Sequence, residues 1–184
     1  MLTKIQRLSG VSAVAMLWFA VSVGMIKAGV GLVDTRPISF LGVASETALL
    51  FNSLFFLSAI LFMIFGVYLY RTFNSNKWFL ATFLIGQAAQ VIAALFQYGG
   101  EDKLIHTVAA FTLAVAIPIY MMFFAFSIKK QPLRTIVFRY YYIELLFFTI
   151  GIGAFVFIKG ISPLAEILPA LPFHAWVLYL TLKK

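Results

Sequence analysis

"FNSLFFLSAILFMIFGVYLYR", Phe51 to Arg71, runs for twenty residues before its first charge. At about 1.5 Å per residue that is roughly 30 Å of helix, the hydrocarbon thickness of a bilayer. Apart from the terminal Tyr68 and Tyr70, only Asn52, Ser53 and Ser58 carry polar groups. The stretch reads as a membrane-spanning helix. The same test applied outward in both directions predicts six spans, at 9–28, 46–70, 78–98, 103–128, 136–158 and 164–182. The fold class predicted is an all-α integral membrane protein, a six-transmembrane-helix bundle forming a single domain over residues 1–184.

Composition agrees. Of 184 residues 63% are hydrophobic and 11% charged, with a mean hydropathy of +1.02, where a soluble domain carries about 25% charged residues. Six spans and short connections leave no length for a soluble catalytic or nucleic-acid-binding domain. The first span reads as retained rather than as a cleaved signal peptide, because its apolar run is too long and "KAGVGLVDT" lacks a small-x-small cleavage site. There is no cysteine, which excludes disulfides, thiolate catalysis, iron–sulfur clusters and Cys-based zinc sites. No cofactor is expected.

The net charge of +8 sits in short clusters beside the apolar runs, as membrane orientation requires, so nucleic acid is not an expected partner. With the N-terminus cytoplasmic, the inner side receives Lys4, Arg7, Arg71, Lys77, Lys129, Lys130, Arg134, Arg139, Lys183 and Lys184. The outer side keeps Lys27, Arg36, Lys103 and Lys159. Both termini are therefore predicted to be cytoplasmic, with the protein multi-pass in the cell membrane. The loop "VDTRPISFLG", Val33 to Gly42, becomes extracytoplasmic.

Polar groups inside spans require partners, because hydrocarbon offers none. Gln87, Gln90 and Gln97 share a narrow arc of the third span. They read either as interhelical hydrogen-bonding groups or as the lining of a ligand or ion path. Glu144 is the only acid well inside a span. It is either a snorkelling ion-pair partner of Arg139 or a functional group. His106 and His174 lie about 7 Å apart in depth at the helical rise, which argues against a bis-histidine haem, and no spaced metal-ligand set is present. The functional candidate on this reading is a mixed-charge outer pocket of Asp34, Arg36, Ser39, Glu46, Asn52, Gln97, Glu101, Asp102 and His106. Its alternative is ordinary interfacial solvation. Pro163, Pro169 and Pro172 predict a kinked or broken sixth helix, and Pro118 a kink in the fourth. Phe residues are expected on lipid-facing positions, with Tyr and Trp in interfacial belts.

Ile38, Ser39, Leu41 and Gly42, then Phe51 and Asn52, then Phe96 and His106 carry a pattern that resembles the bacterial and archaeal membrane family described as domain of unknown function nine-nine-eight. Phe96-Gln97 and "HTVAAF", His106 to Phe111, also look like the DRAM-type six-helix proteins of eukaryotes. The resemblance spans Asp34 to Ser127 and departs from the first family at Arg36-Pro37. It implies six helices with the matching polar positions on the outer half of the bundle, and no established activity.

The function expected from these readings is non-enzymatic, either lipid-headgroup binding at the outer leaflet or an accessory subunit of a membrane complex. The alternatives are a small-solute or ion transporter or channel, and an intramembrane lipid-modifying enzyme using His106 with Glu46 or Asp102. No activated nucleophile is identifiable, which weighs against the last. Expected partners are membrane lipids, with other membrane subunits or further copies of the chain as alternatives.

Overall fold

The computed structural model describes residues 2–32, 34–157 and 163–183. Lys159 and Lys184, used in the charge count, lie outside the described residues. Six long helices follow one another: α1 (Leu2–Ala28), α2 (Ala48–Thr72), α3 (Lys77–Leu95), α4 (Lys103–Ser127), α5 (Gln131–Phe157) and α6 (Pro163–Leu182). Short 3-10 helices lie at Ile38–Gly42 and Gly100–Asp102. All six long helices are apolar enough to cross a membrane, and no strand occurs among the described residues. The chain is a multi-pass membrane protein.

The helix ends follow local chemistry rather than apolar length alone. α1 and α5 begin earlier than the apolar runs, because Lys4, Gln6, Arg7, Gln131 and Arg134 favour helix and extend the ladder beyond the hydrocarbon. α3 starts behind Asn76, whose side chain accepts the Phe79 N–H at 2.8 Å as an N-cap. The Asn76 N–H donates to the Ser127 hydroxyl at 3.1 Å, which ties the α2–α3 turn to the end of α4. That end of the bundle also carries the start of α1, and the α1–α2 and α3–α4 connections lie at the opposite end. α3 stops at Leu95, before Gln97.

The predicted break in the sixth helix is not found. α6 is continuous from Pro163 to Leu182 with Pro169 and Pro172 inside it. Pro163 occupies the first helical position, where no N–H is needed. The two internal prolines withdraw two donors from the ladder without ending it, since neighbouring helices hold the segment in place.

Each helix packs against its neighbours in sequence, and α6 returns to α1. α6 also reaches the interior. The Phe173 ring lies 5.2 Å from Phe62 of α2 and 5.6 Å from Tyr120 of α4, and the Trp176 ring lies 5.3 Å from Phe124. His174 meets Trp18 of α1 edge-on at 5.8 Å. Phe62, Phe65, Phe79, Phe83 and Phe124 are fully buried, so these phenylalanines build the core rather than face lipid as expected. Tight interdigitation holds spans together where both sides of a helix are apolar. Gly66 of α2 lies against α3, where a Cβ would stand 2.5 Å from the Phe83 ring. Gly151 lies close against α6 and Gly24 against Leu41, whereas a Cβ on Gly153 would meet nothing within 4 Å.

Candidate functional site

The α1–α2 loop is built by a chain of caps. α1 ends at Gly29, whose φ of 60° lets the Val30 N–H turn back to the Met25 carbonyl at 3.0 Å. Arg36 then docks on that helix end, donating to the Gly29 carbonyl at 2.9 Å and pairing with Asp34 at 2.8 Å. A cation suits the negative end of a helix. Asp34 also accepts the Arg36 backbone N–H at 2.8 Å. Together the side-chain and backbone bonds from Arg36 hold the Asp34 carboxyl well below the usual carboxylate range. The same pair raises the Arg36 guanidinium.

Pro37 leads into the 3-10 helix, and the free N–H groups at its start are met from across the bundle. Glu166, in the first turn of α6, accepts from the Ile38 N–H, from the Ser39 N–H at 3.4 Å and from the Ser39 hydroxyl at 3.3 Å. The far end is held by Thr47, which donates to the Leu41 carbonyl at 2.7 Å, and by Asn52, which donates to the Gly42 carbonyl at 2.9 Å. Leu41 is fully buried and packs with Ala20, Val21, Phe51 and Ile167. The loop plugs the bundle between α1, α2 and α6.

His106 serves a different helix end. Its Nδ1 lies 3.0 Å from the Ala93 carbonyl and 2.8 Å from the Phe96 carbonyl. Both partners are acceptors, so Nδ1 carries the proton and caps the C-terminus of α3. Tyr98 stands edge-on to the ring at 5.6 Å. Glu46, Gln97, Glu101 and Asp102 are exposed. Among the described residues no hydrogen bond joins His106 to Asp34, Arg36 or Ser39; the nine residues grouped as an outer pocket divide into separate caps and exposed groups.

The middle of the bundle is chemically stranger. Glu144 is the midpoint of α5, about 20 Å from either end at the helical rise. It is fully buried, and neither carboxylate oxygen has a hydrogen-bond partner. Of the two readings of Glu144, the ion pair with Arg139 is not formed: the one salt bridge among the described residues is Asp34 with Arg36. Instead the carboxylate faces the Phe173 backbone N–H, without a completed hydrogen bond, and lies within electrostatic range of Tyr120. The Tyr120 hydroxyl, His174 Nδ1 and Trp176 Nε1 are likewise buried and unpartnered. Phe173 joins these groups, with its ring 5.6 Å from Tyr120, 5.4 Å from His174 and 6.0 Å from Trp176.

The glutamines separate. Gln90 donates to the Phe55 carbonyl at 2.9 Å and the Ser58 hydroxyl at 2.8 Å, joining α3 to α2. Gln87 is fully buried with neither amide atom partnered. Gln97 leaves the stripe because α3 ends before it. Sequence reading selected Glu144, His174 and Gln87, but not Tyr120, Trp176 or Glu166. In the sequence Glu166 is simply an acid at the start of the sixth span. Its partners are 127 and 128 residues away.

No three His, Asp or Glu side chains converge as a metal ion would need among the described residues. Surface hollows lie elsewhere, one between α3 and α4 around Thr82, Phe111 and Ile119, and one between the start of α1 and the end of α2. Comparisons with protein-family models, with curated proteins and with solved structures found no match to this chain.

Proposed function

We propose that this protein is a proton-coupled carrier of a small solute or ion in the cell membrane, with both termini cytoplasmic and Glu144 as the working group. The single observation that carries the reading is a fully buried carboxylate, midway along a spanning helix, with both oxygens unpartnered. An ionised carboxylate in hydrocarbon needs a counter-charge, and binding a proton or a cation supplies one. A group whose partner must arrive and leave is suited to coupling.

Two further features support it. Tyr120, His174 and Trp176 place unpartnered polar atoms around the same aromatic core, so a relay or ligand would find groups to bond. α6 carries Pro169 and Pro172 beside them, and the missing donors lower the cost of bending this helix. Five of the nine residues expected to bind a headgroup at the outer leaflet are instead committed within the fold: Asp34 with Arg36, Ser39 with Glu166, Asn52 with Gly42, and His106 with α3. That favours a cap over a binding mouth. The basic residues near the α2–α3 and α4–α5 turns support a cytoplasmic location for that end.

The test is the charge moved when a pH jump is applied to proteoliposomes on a solid-supported membrane. Wild-type protein is expected to give a transient current, and Glu144→Gln, which keeps the shape but cannot ionise, to fall to the baseline of empty liposomes. A wild-type signal at that baseline, or one undiminished by Glu144→Gln, overturns the reading.

A further inference from the structure

The end of the bundle opposite the capped loop carries a different feature. Between the start of α1 and the end of α2 lies a cleft of about 400 Å³ lined by Thr3, Gln6, Tyr68, Arg71 and Thr72. Its lining offers hydroxyl, amide and guanidinium donors and no carboxylate. Arg71 is exposed and makes no ion pair among the described residues. Arg7, one turn beyond Thr3 on the same side of α1, has its Nε buried without a partner.

Nothing nearby compensates this charge. Asp34, Glu46, Glu101, Asp102 and Glu166 all belong to the far end of the bundle, and Glu144 to its middle. Lys4, Arg7, Arg71 and Lys77 thus stand without an acid at their own end. We propose that the cleft binds the phosphate of an anionic phospholipid headgroup. Guanidinium and hydroxyl donors converging on one volume match phosphate oxygens, and charge-assisted bonds of this kind are the strong ones. A lipid is favoured over free phosphate by what borders the cleft. On α2, Ile64 and Leu57 lie on the same side of the helix as Tyr68 and Arg71 and are exposed apolar side chains, so an acyl chain has a surface to lie along while the headgroup is held. The depth also fits, since the cleft is formed where two spanning helices emerge from their apolar runs.

The experiment is native mass spectrometry of the full chain in mild detergent, titrated with phosphatidylglycerol or with phosphatidylcholine of the same acyl chains. The expected result is preferential retention of phosphatidylglycerol, lowered roughly tenfold or more by Arg71→Gln, the loss of a charge-assisted phosphate contact, and by no more than about fivefold in Lys77→Gln. Arg71→Lys should recover part of the binding, which separates a lost contact from a misfolded chain. Equal retention of both lipids overturns the proposal. So does an equal loss in Arg71→Gln and Lys77→Gln, because diffuse surface charge would then suffice. Displacement of the lipid by millimolar inorganic phosphate overturns the assignment to a lipid.

Discussion

Glu166→Ala removes the acceptor that ties the first turn of α6 to the outer loop. The Ile38 N–H, the Ser39 N–H at 3.4 Å and the Ser39 hydroxyl at 3.3 Å all lose their partner. Ile38 and Ser39 are themselves buried, so water replaces the carboxylate poorly. A hydrogen bond to a charged acceptor contributes roughly 1.5–3 kcal/mol, and the two longer ones add about 1 kcal/mol between them. The expected loss is therefore about 2.5–4 kcal/mol. For a chain of this size each kcal/mol moves Tm by about 2–4 °C, which predicts a fall of about 5–16 °C in detergent, read by intrinsic fluorescence. Amide exchange should quicken at Ile38 and Ser39 before it does at Gln90, whose bonds to α2 are independent of the loop. Glu166→Gln keeps an oxygen for the N–H groups, and the Ser39 hydroxyl can turn to accept from its amide, so this variant should lose less than half as much. A Glu166→Ala protein melting within about 1 °C of wild type, or Glu166→Gln melting as low as Glu166→Ala, would refute the reasoning.

His106→Ala leaves the Ala93 and Phe96 carbonyls unmet and should cost about 1–3 kcal/mol, whereas His106→Asn, whose amide N–H can replace Nδ1–H, should recover at least half in the same melting assay; equal losses would argue against the cap. Gly66→Ala places a Cβ 2.5 Å from the buried Phe83 ring and should cost about 1–3 kcal/mol through overpacking. Phe83→Leu in the same chain should return part of it, and strict additivity of the two changes would contradict the contact. Asp34 has its folded-state carboxyl held below the unfolded value of about 3.9, so its contribution is complete above that pH and is lost as the pH falls beneath it. A carboxyl NMR titration should accordingly show no Asp34 midpoint down to about pH 3, with the midpoint returning to the ordinary range in Arg36→Gln; an ordinary wild-type midpoint would remove the ion pair from the account.

The six spans were legible because the demand that creates them is local. Each segment must satisfy its own backbone hydrogen bonds and present about 20 apolar residues to lipid, and both requirements are met within one stretch of chain such as Phe51 to Arg71. Glu144 was legible for the same reason, as the only acid inside a span. Its isolation was not, since that depends on α4 and α6 arriving beside it with Tyr120 and Phe173 rather than with Arg139. Gln87 and Gln90 are alike in pattern, and only the position of Phe55 and Ser58 on α2 makes one a bridge and leaves the other unpaired.

The sequence by itself determined that the chain crosses a membrane six times, roughly where each span lies, and which polar residues lie inside. Tertiary structure alone decided which face of each helix turns inward, that five phenylalanines form the core, that Glu166 holds the loop, and that His106 caps α3. The reason is physical. In water an apolar stripe announces the buried face, but in a bilayer lipid and protein interior are both apolar, so helix facing is set by close packing and by hydrogen-bond partners that can lie more than a hundred residues away.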